Sequence, residues 1–442
     1  MPIRLFRWTD RLVRSRAAWA VAAFAVIALG ILLDRVADVA AGRPVREVAS
    51  GPVGRAPPSV SSPAFSSVVG ALTGTAVGPG HRVEILTDGG LFERLFLDIA
   101  QARRSIAIYA YFCEPGRLGD RLADALSERA RAGVTVLFLA DGFACRRLMR
   151  SIGPRLEDAG AQVAVLRPTH WYSMHRIQHR NHARMIVVDG EVGYTGGFGL
   201  ADEWIGSAGS VVAWRETSVR FTGAAVGVLQ AALLAAWAEA TGTLHAGPEF
   251  FPHRPSDSVG VRAGLLYSPP GIGTTPAERM LALSVSGAER TLFIANAYFV
   301  PTPLMLSLLV DAERRSVDVR LLLPGPRTDL PSTRWAGRGF YGELLEAGVR
   351  IFEYERTMMH AKTLVADGVW ASIGSMNLDN RSTRLNDEAA LLVHDRAVAT
   401  ELDSLFLGDL GHAIEITLPA HRARSLWQRF LERGMRLVAP LI

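Results

Sequence analysis

The chain has 442 residues, 49% hydrophobic and 21% charged, with a formal net charge of +5. That length suits two or three domains with a sizeable core, and with Cys113 and Cys145 as the only cysteines it excludes a disulfide-built scaffold while allowing one bridge. The mild positive balance suits an anionic partner, such as acidic lipid or nucleic acid, as readily as a solvated basic surface.

Arg4, Arg7, Arg11, Arg14 and Arg16 precede an uncharged apolar run over residues 17–33. A bilayer span needs roughly 17–25 residues, so residues 1–41 read as a membrane anchor whose arginines hold the N-terminus in the cytoplasm. A cleaved signal peptide ending at Val39-Ala40-Ala41 is the alternative. Against cleavage, the run is long for a signal core, and Asp34 and Arg35 intervene. A single span puts the rest of the chain outside the cytoplasm. Residues 42–80, rich in Gly, Pro, Ser, Ala and Val, read as a linker.

Two passes through one plan follow, over residues 81–255 and 256–442. In the first, apolar spacing predicts a helix over 91–103, a strand over 106–112, a helix over 118–132 and a buried strand over 134–140. In the second, the same order recurs over 276–288, 291–300, 304–315 and 317–323. Alternating strands and helices predict an α/β fold with two pseudo-symmetric halves.

The second pass carries His360-Ala361-Lys362, Asp367 and then Gly374-Ser375-Met376-Asn377; the first carries His182-Ala183-Arg184, Asp189 and then Gly196-Gly197-Phe198-Gly199, in the same register. Asp189-Gly190 and Asp367-Gly368 sit between apolar runs, a hairpin signal. On a strand, residues i and i+2 share a face, so His360 points with Lys362 and His182 with Arg184. This suits a phosphodiester. One imidazole attacks as nucleophile, and the other protonates the leaving alkoxide and later deprotonates the acceptor. Lys362 and Arg184 offset charge on the nonbridging oxygens, and Ser375 and Asn377 donate to them. No metal or other cofactor has a role in this scheme. Lys362 is the only lysine in the chain. A chain that uses arginine everywhere else keeps a compact ammonium beside His360.

The doubled His-x-Lys-x4-Asp pattern resembles the phospholipase D superfamily and, from about Val83 onward, its bacterial cardiolipin synthases. Ala297-Tyr298-Phe299-Val300-Pro301, Asn377-Leu378-Asp379-Asn380-Arg381-Ser382 and Asn386-Asp387-Glu388 carry the closer likeness. The resemblance implies one active site between the halves, phospholipid substrates, a bacterial inner-membrane location and no nucleic-acid partner; it leaves the oligomeric state open. It also implies an acidic residue orienting each histidine: Glu388 for His360 and Glu216 for His182. Asp189 and Asp367 complete the candidate catalytic set, with a role more at the turn than in the chemistry. Arg184 and Gly199 depart from the family's usual lysine and asparagine. A hydrolase, a nuclease of the superfamily and a non-catalytic membrane scaffold are the rival readings. A basic amphipathic helix near residues 426–433 docks on its own domain or lies on a membrane.

Overall fold

The computed structural model describes residues 44–48, 57–168, 179–206, 213–253, 258–271 and 273–437. The expected anchor and its rival cleavage site lie outside these residues. Among the described residues no helix is long and apolar enough to cross a membrane.

The first half contributes β1 (Gly78–Thr87), β2 (Ser105–Ala110), β3 (Thr135–Asp141), β4 (Gln162–Leu166), β5 (Met185–Val188), β6 (Val192–Thr195) and β7 (Thr217–Thr222). The second contributes β8 (Val261–Ser268), β9 (Thr291–Ala295), β10 (Asp318–Pro324), β11 (Arg350–Tyr354), β12 (Thr363–Ala366), β13 (Trp370–Gly374), β14 (Glu388–His394) and β15 (Ala413–Ile416). All join one 15-stranded sheet in the order β15-β11-β10-β9-β12-β13-β14-β8-β1-β7-β6-β5-β2-β3-β4. The order reads alike outward from the central antiparallel β1–β8 pair, with β15 as an addition to the second half. In each half, three strands pair in parallel and are linked by helices: β2, β3 and β4, and β9, β10 and β11. Helices on both faces explain why Ser105–Ala110 is buried at every position.

Local chemistry sets the helix starts. Thr275 and Thr302 accept amide hydrogens at the openings of Pro276–Gly287 and Pro303–Arg314, each with proline in the first turn. Cys113 and Cys145 pair as a disulfide tying the loop after β2 to the start of helix Arg146–Asp158.

The structure departs from the linker expected over residues 42–80. Helix Pro63–Thr73, capped by the Ser62 hydroxyl, buries Phe65 and Val69 in the second-half core. Phe65 packs edge-on against Trp370 at 4.9 Å. Burying a side chain of that size contributes about 1.5–3 kcal/mol, which outweighs the weak helix propensity of Gly, Ser and Val. The first strand then begins at Gly78, within the same stretch.

Candidate active site

Each half turns the same hairpin, β5–β6 and β12–β13. Asp189 and Asp367 sit at the turns with φ of 54° and 56°. The Asp189 carboxylate accepts the amides of Arg103, Arg104 and Ser105; that of Asp367 accepts those of Glu289, Arg290 and Thr291. Each aspartate thus clamps its hairpin to the start of the neighbouring parallel strand, β2 or β9. Among the described residues neither is bonded to a histidine.

The histidines lie just before the hairpins, where the halves cross. The amides of His182 and Ala183 donate to the Asp387 carbonyl at 2.8 and 2.9 Å, and the His360 amide donates to the Arg215 carbonyl at 2.8 Å. These short bridges bring each histidine beside the glutamate of the opposite half. His182 Nδ1 donates to Glu388 Oε1 at 3.0 Å, and His360 Nδ1 to Glu216 Oε2 at 2.7 Å. The expected pairing, Glu388 with His360 and Glu216 with His182, is therefore corrected: the pairs are exchanged between the halves. The resemblance implied the other partner for each; Glu388, which opens β14, and Glu216, just before β7, reach across the central pair to the histidine of the opposite half.

Met376 and Leu378 join the second-half core, so Ser375 and Asn377 face the other way. The Ser375 hydroxyl donates to Glu388. The carboxamide oxygen of buried Asn377 has no partner among the described residues. Lys362 Nζ donates to the His360 carbonyl at 2.7 Å and lies 3.1 and 3.2 Å from the two ring nitrogens, which places the ammonium over the ring rather than on one lone pair. Arg184 donates to the His182 carbonyl at 2.5 Å and the Phe198 carbonyl at 3.2 Å. Aromatic rings wall the site: Tyr111 lies 4.7 Å from His182, and Trp204 and Trp214 lie 5.4 and 5.1 Å from His360. Trp204 also belongs to the first-half core, and Trp214 packs against that core.

All six charged or titratable groups are buried. Burial, then the cations Arg184 and Lys362, push both imidazoles well below the usual histidine range. Burial raises Glu216 and Glu388 to about 7 and lowers Lys362 to about 7. A carboxylate on Nδ1 fixes the proton there and leaves Nε2 its lone pair. The arrangement therefore presents two oriented imidazoles beside two cations, with proton affinities tuned by exclusion of water. Sequence reasoning missed the outer supports. Asp387 is held by Arg167 at 2.7 Å and the Tyr267 hydroxyl at 2.8 Å, and Arg215 by Asp409 at 2.8 Å.

Residues 283–410 match a family model described as the cardiolipin synthase, phospholipase D-like domain. The chain is 33% identical over 367 residues to the major cardiolipin synthase of Bacillus subtilis strain 168, covering 82% of this chain and 76% of that one. The chain belongs to the cardiolipin synthase family. A cardiolipin synthase of Listeria welshimeri is 30% identical over 84% of this chain and 77% of its own. The family places the chain among the phosphatidyltransferases of the phospholipase D superfamily and makes it a membrane-associated bacterial enzyme acting on phospholipid. The fold is shared with phosphatidylserine synthase of Haemophilus influenzae, at a TM-score of 0.60 and 13% identity over 81% of this chain and 95% of that one.

Proposed function

We propose that this family member moves a phosphatidyl group through a phosphohistidine to a hydroxyl of phosphatidylglycerol. The observation that supports it is the crossed pairing: two buried imidazoles, each bonded at Nδ1 to a glutamate of the other half, share one site with Lys362 and Arg184. One Nε2 attacks phosphorus, and the P–O bond to the departing headgroup breaks. The second imidazole, which enters this step protonated on Nε2 as well as Nδ1, gives that alkoxide its proton. The same imidazole then takes the proton of the acceptor hydroxyl, whose oxygen attacks phosphorus as the P–N bond breaks. Lys362 and Arg184 face the charge on the nonbridging oxygens, with Ser375 and Asn377 as polar neighbours; burial makes these contacts stronger than in water. Asp189 and Asp367 hold the hairpins that carry the histidines.

Purified protein in phosphatidylglycerol-containing micelles is expected to release glycerol and accumulate cardiolipin. Phosphatidic acid as the sole product turns the reading to hydrolysis, and absence of any turnover turns it to the scaffold. We also propose a single N-terminal span with the catalytic part outside the cytoplasm. The Cys113–Cys145 bridge supports this side, since disulfides persist in oxidising compartments. A C-terminal alkaline phosphatase fusion is expected to be active; an inactive one, with an active cytoplasmic reporter at the same position, rejects the topology.

A further inference from the structure

A cavity of about 610 Å³ lies away from the histidines, between the segment around Arg46, the start of helix Pro303–Arg314 and helix Pro331–Ala347. It falls in the size range of small-molecule sites. Its walls combine apolar surface, Leu304 and Phe340, with three guanidinium-bearing residues, Arg46, Arg384 and Arg436. Glu278 also lines it. This carboxylate is buried and accepts the amide of Val45, yet its Oε2 has no partner among the described residues. A buried oxygen of that kind calls for a donor. Three arginines around it disfavour an ammonium by like-charge repulsion, whereas a neutral hydroxyl meets no such cost.

The neighbouring surface fits a lipid source. Arg436 belongs to helix Leu426–Leu437 and stacks over Phe340 at 4.4 Å. That helix is held to helix Pro331–Ala347 by Arg338–Glu432 at 3.0 Å, with Met435 packed on the core. Its other side leaves Leu426, Trp427 and Phe430 exposed at 81%, 66% and 67%, with the two rings stacked at 5.7 Å. Exposed aromatic residues beside arginines are the composition of a helix lying at a bilayer surface.

We propose that this cavity is a second phospholipid site, separate from the histidine pair. It takes an anionic glycerophospholipid from the bilayer, with the phosphate among Arg46, Arg384 and Arg436 and a headgroup hydroxyl on Glu278. The site shares a lipid class with the proposed reaction but none of its catalytic residues, so binding is tested without turnover. The full chain carrying His182→Ala and His360→Ala is titrated calorimetrically with dihexanoyl phosphatidylglycerol. Saturable binding is expected, weakened tenfold or more by Ser307→Trp, which fills the mouth from an exposed helix position, and by Arg46→Gln. Dihexanoyl phosphatidylethanolamine is expected to bind at least tenfold more weakly. Absence of saturable binding, an affinity that neither substitution changes, or equal affinity for the ethanolamine lipid overturns the site as described. For the occupant in membranes, a benzoylphenylalanine placed at Ser307 is photolysed in cells. A phospholipid adduct supports the proposal, and adducts confined to this chain's own residues overturn it.

Discussion

The two hairpins have one backbone and different side chains, and the differences fit together. In the second half Ser375 reaches Glu388, and Lys362, like Arg184 in the first, bonds its own histidine's carbonyl. In the first half the serine's place is Gly197, where an added Cβ would lie 2.6 Å from Glu216 Oε2 and 2.9 Å from Lys362 Nζ. At Gly199, the counterpart of Asn377, a Cβ would meet the Trp204 ring at 2.8 Å. The bare positions of the first half are thus filled from elsewhere: by the lysine of the other half and by an indole. What reads in the sequence as decay of the first motif is, in space, an asymmetric site. One cation is a guanidinium that stays charged. The other is an ammonium held near its titration point.

The strongest attempt to break this comparison removes the imidazoles. If both halves work as one unit, His182→Ala and His360→Ala each lower transfer by about four orders of magnitude or more, and the double variant is no worse. Rates from purified protein, with folding checked by thermal melting, decide it. A near-wild-type His182→Ala beside a dead His360→Ala would leave the first half without a catalytic partner's role.

Next come the crossed glutamates. Glu388→Gln and Glu216→Gln keep shape but lose the carboxylate that fixes each tautomer, and losses of about a thousand-fold or more are expected. The informative readout is site-resolved. In ¹⁵N-histidine NMR spectra Glu388→Gln should move the His182 Nδ1 resonance and spare that of His360, with the reverse for Glu216→Gln. Shifts in the other assignment would restore the uncrossed pairing.

The cations come third. Lys362→Arg puts a broad planar fork where the Gly197 backbone and Glu216 already crowd the ammonium, so a loss of about a hundred-fold is expected. The pH profile separates charge from shape. Burial lowers Lys362 to about 7, so its charged form is lost as pH rises through that value rather than through 10.5. In wild-type protein kcat/KM should then fall about tenfold per pH unit above that point. Lys362→Arg should lack this alkaline limb despite its lower plateau. The acid limb should lie near pH 7 in both, where Glu216 and Glu388, raised by burial to about 7, gain a proton and lose the charge that holds each Nδ1–H. An alkaline limb retained unchanged in the arginine variant would assign it to another group.

These expectations rest on parts of the molecule that differ in how plainly the sequence shows them. The alternation of apolar helices and strands marks the layers because each element's period is local: Ile106, Ile108 and Ala110 sit on one face of β2 whatever surrounds them. The hairpins are equally local, since Asp-Gly favours the positive φ that both turns adopt. Helix Pro63–Thr73 had a signal, Phe65, Val68 or Val69, and Leu72 at helical spacing behind Ser62-Pro63, but its small residues resemble linker composition. The glutamate pairing had none. His182 and Glu388 are 206 residues apart, and only the register across the β1–β8 pair decides which glutamate each histidine meets. Trp204 is similar: its contact with His360 depends on a crossing between halves that no periodicity encodes.

The mildest test swaps the first-half cation for the residue of the second. Arg184 is buried, lies 5.1 Å from the centre of the Tyr111 ring, and donates to two carbonyls, those of His182 and Phe198. Arg184→Lys keeps the charge. It can also keep the bond to the His182 carbonyl, because Lys362 makes the equivalent bond to His360 in the other half. It forfeits the bond to Phe198 and part of the contact with Tyr111, costing about 1–3 kcal/mol in stability for a buried carbonyl left without its donor. The chemistry should suffer less than the fold, since the phosphate still meets a cation on that side. A change in transfer rate below about tenfold is expected, with a lower melting temperature. The alkaline limb should also steepen, because a second buried ammonium would lose its proton in the same range. A hundred-fold loss with an unchanged melting temperature would instead mean that the planar guanidinium itself grips the reacting phosphate, and that the first half is specialised for binding rather than being a tolerant copy of the second.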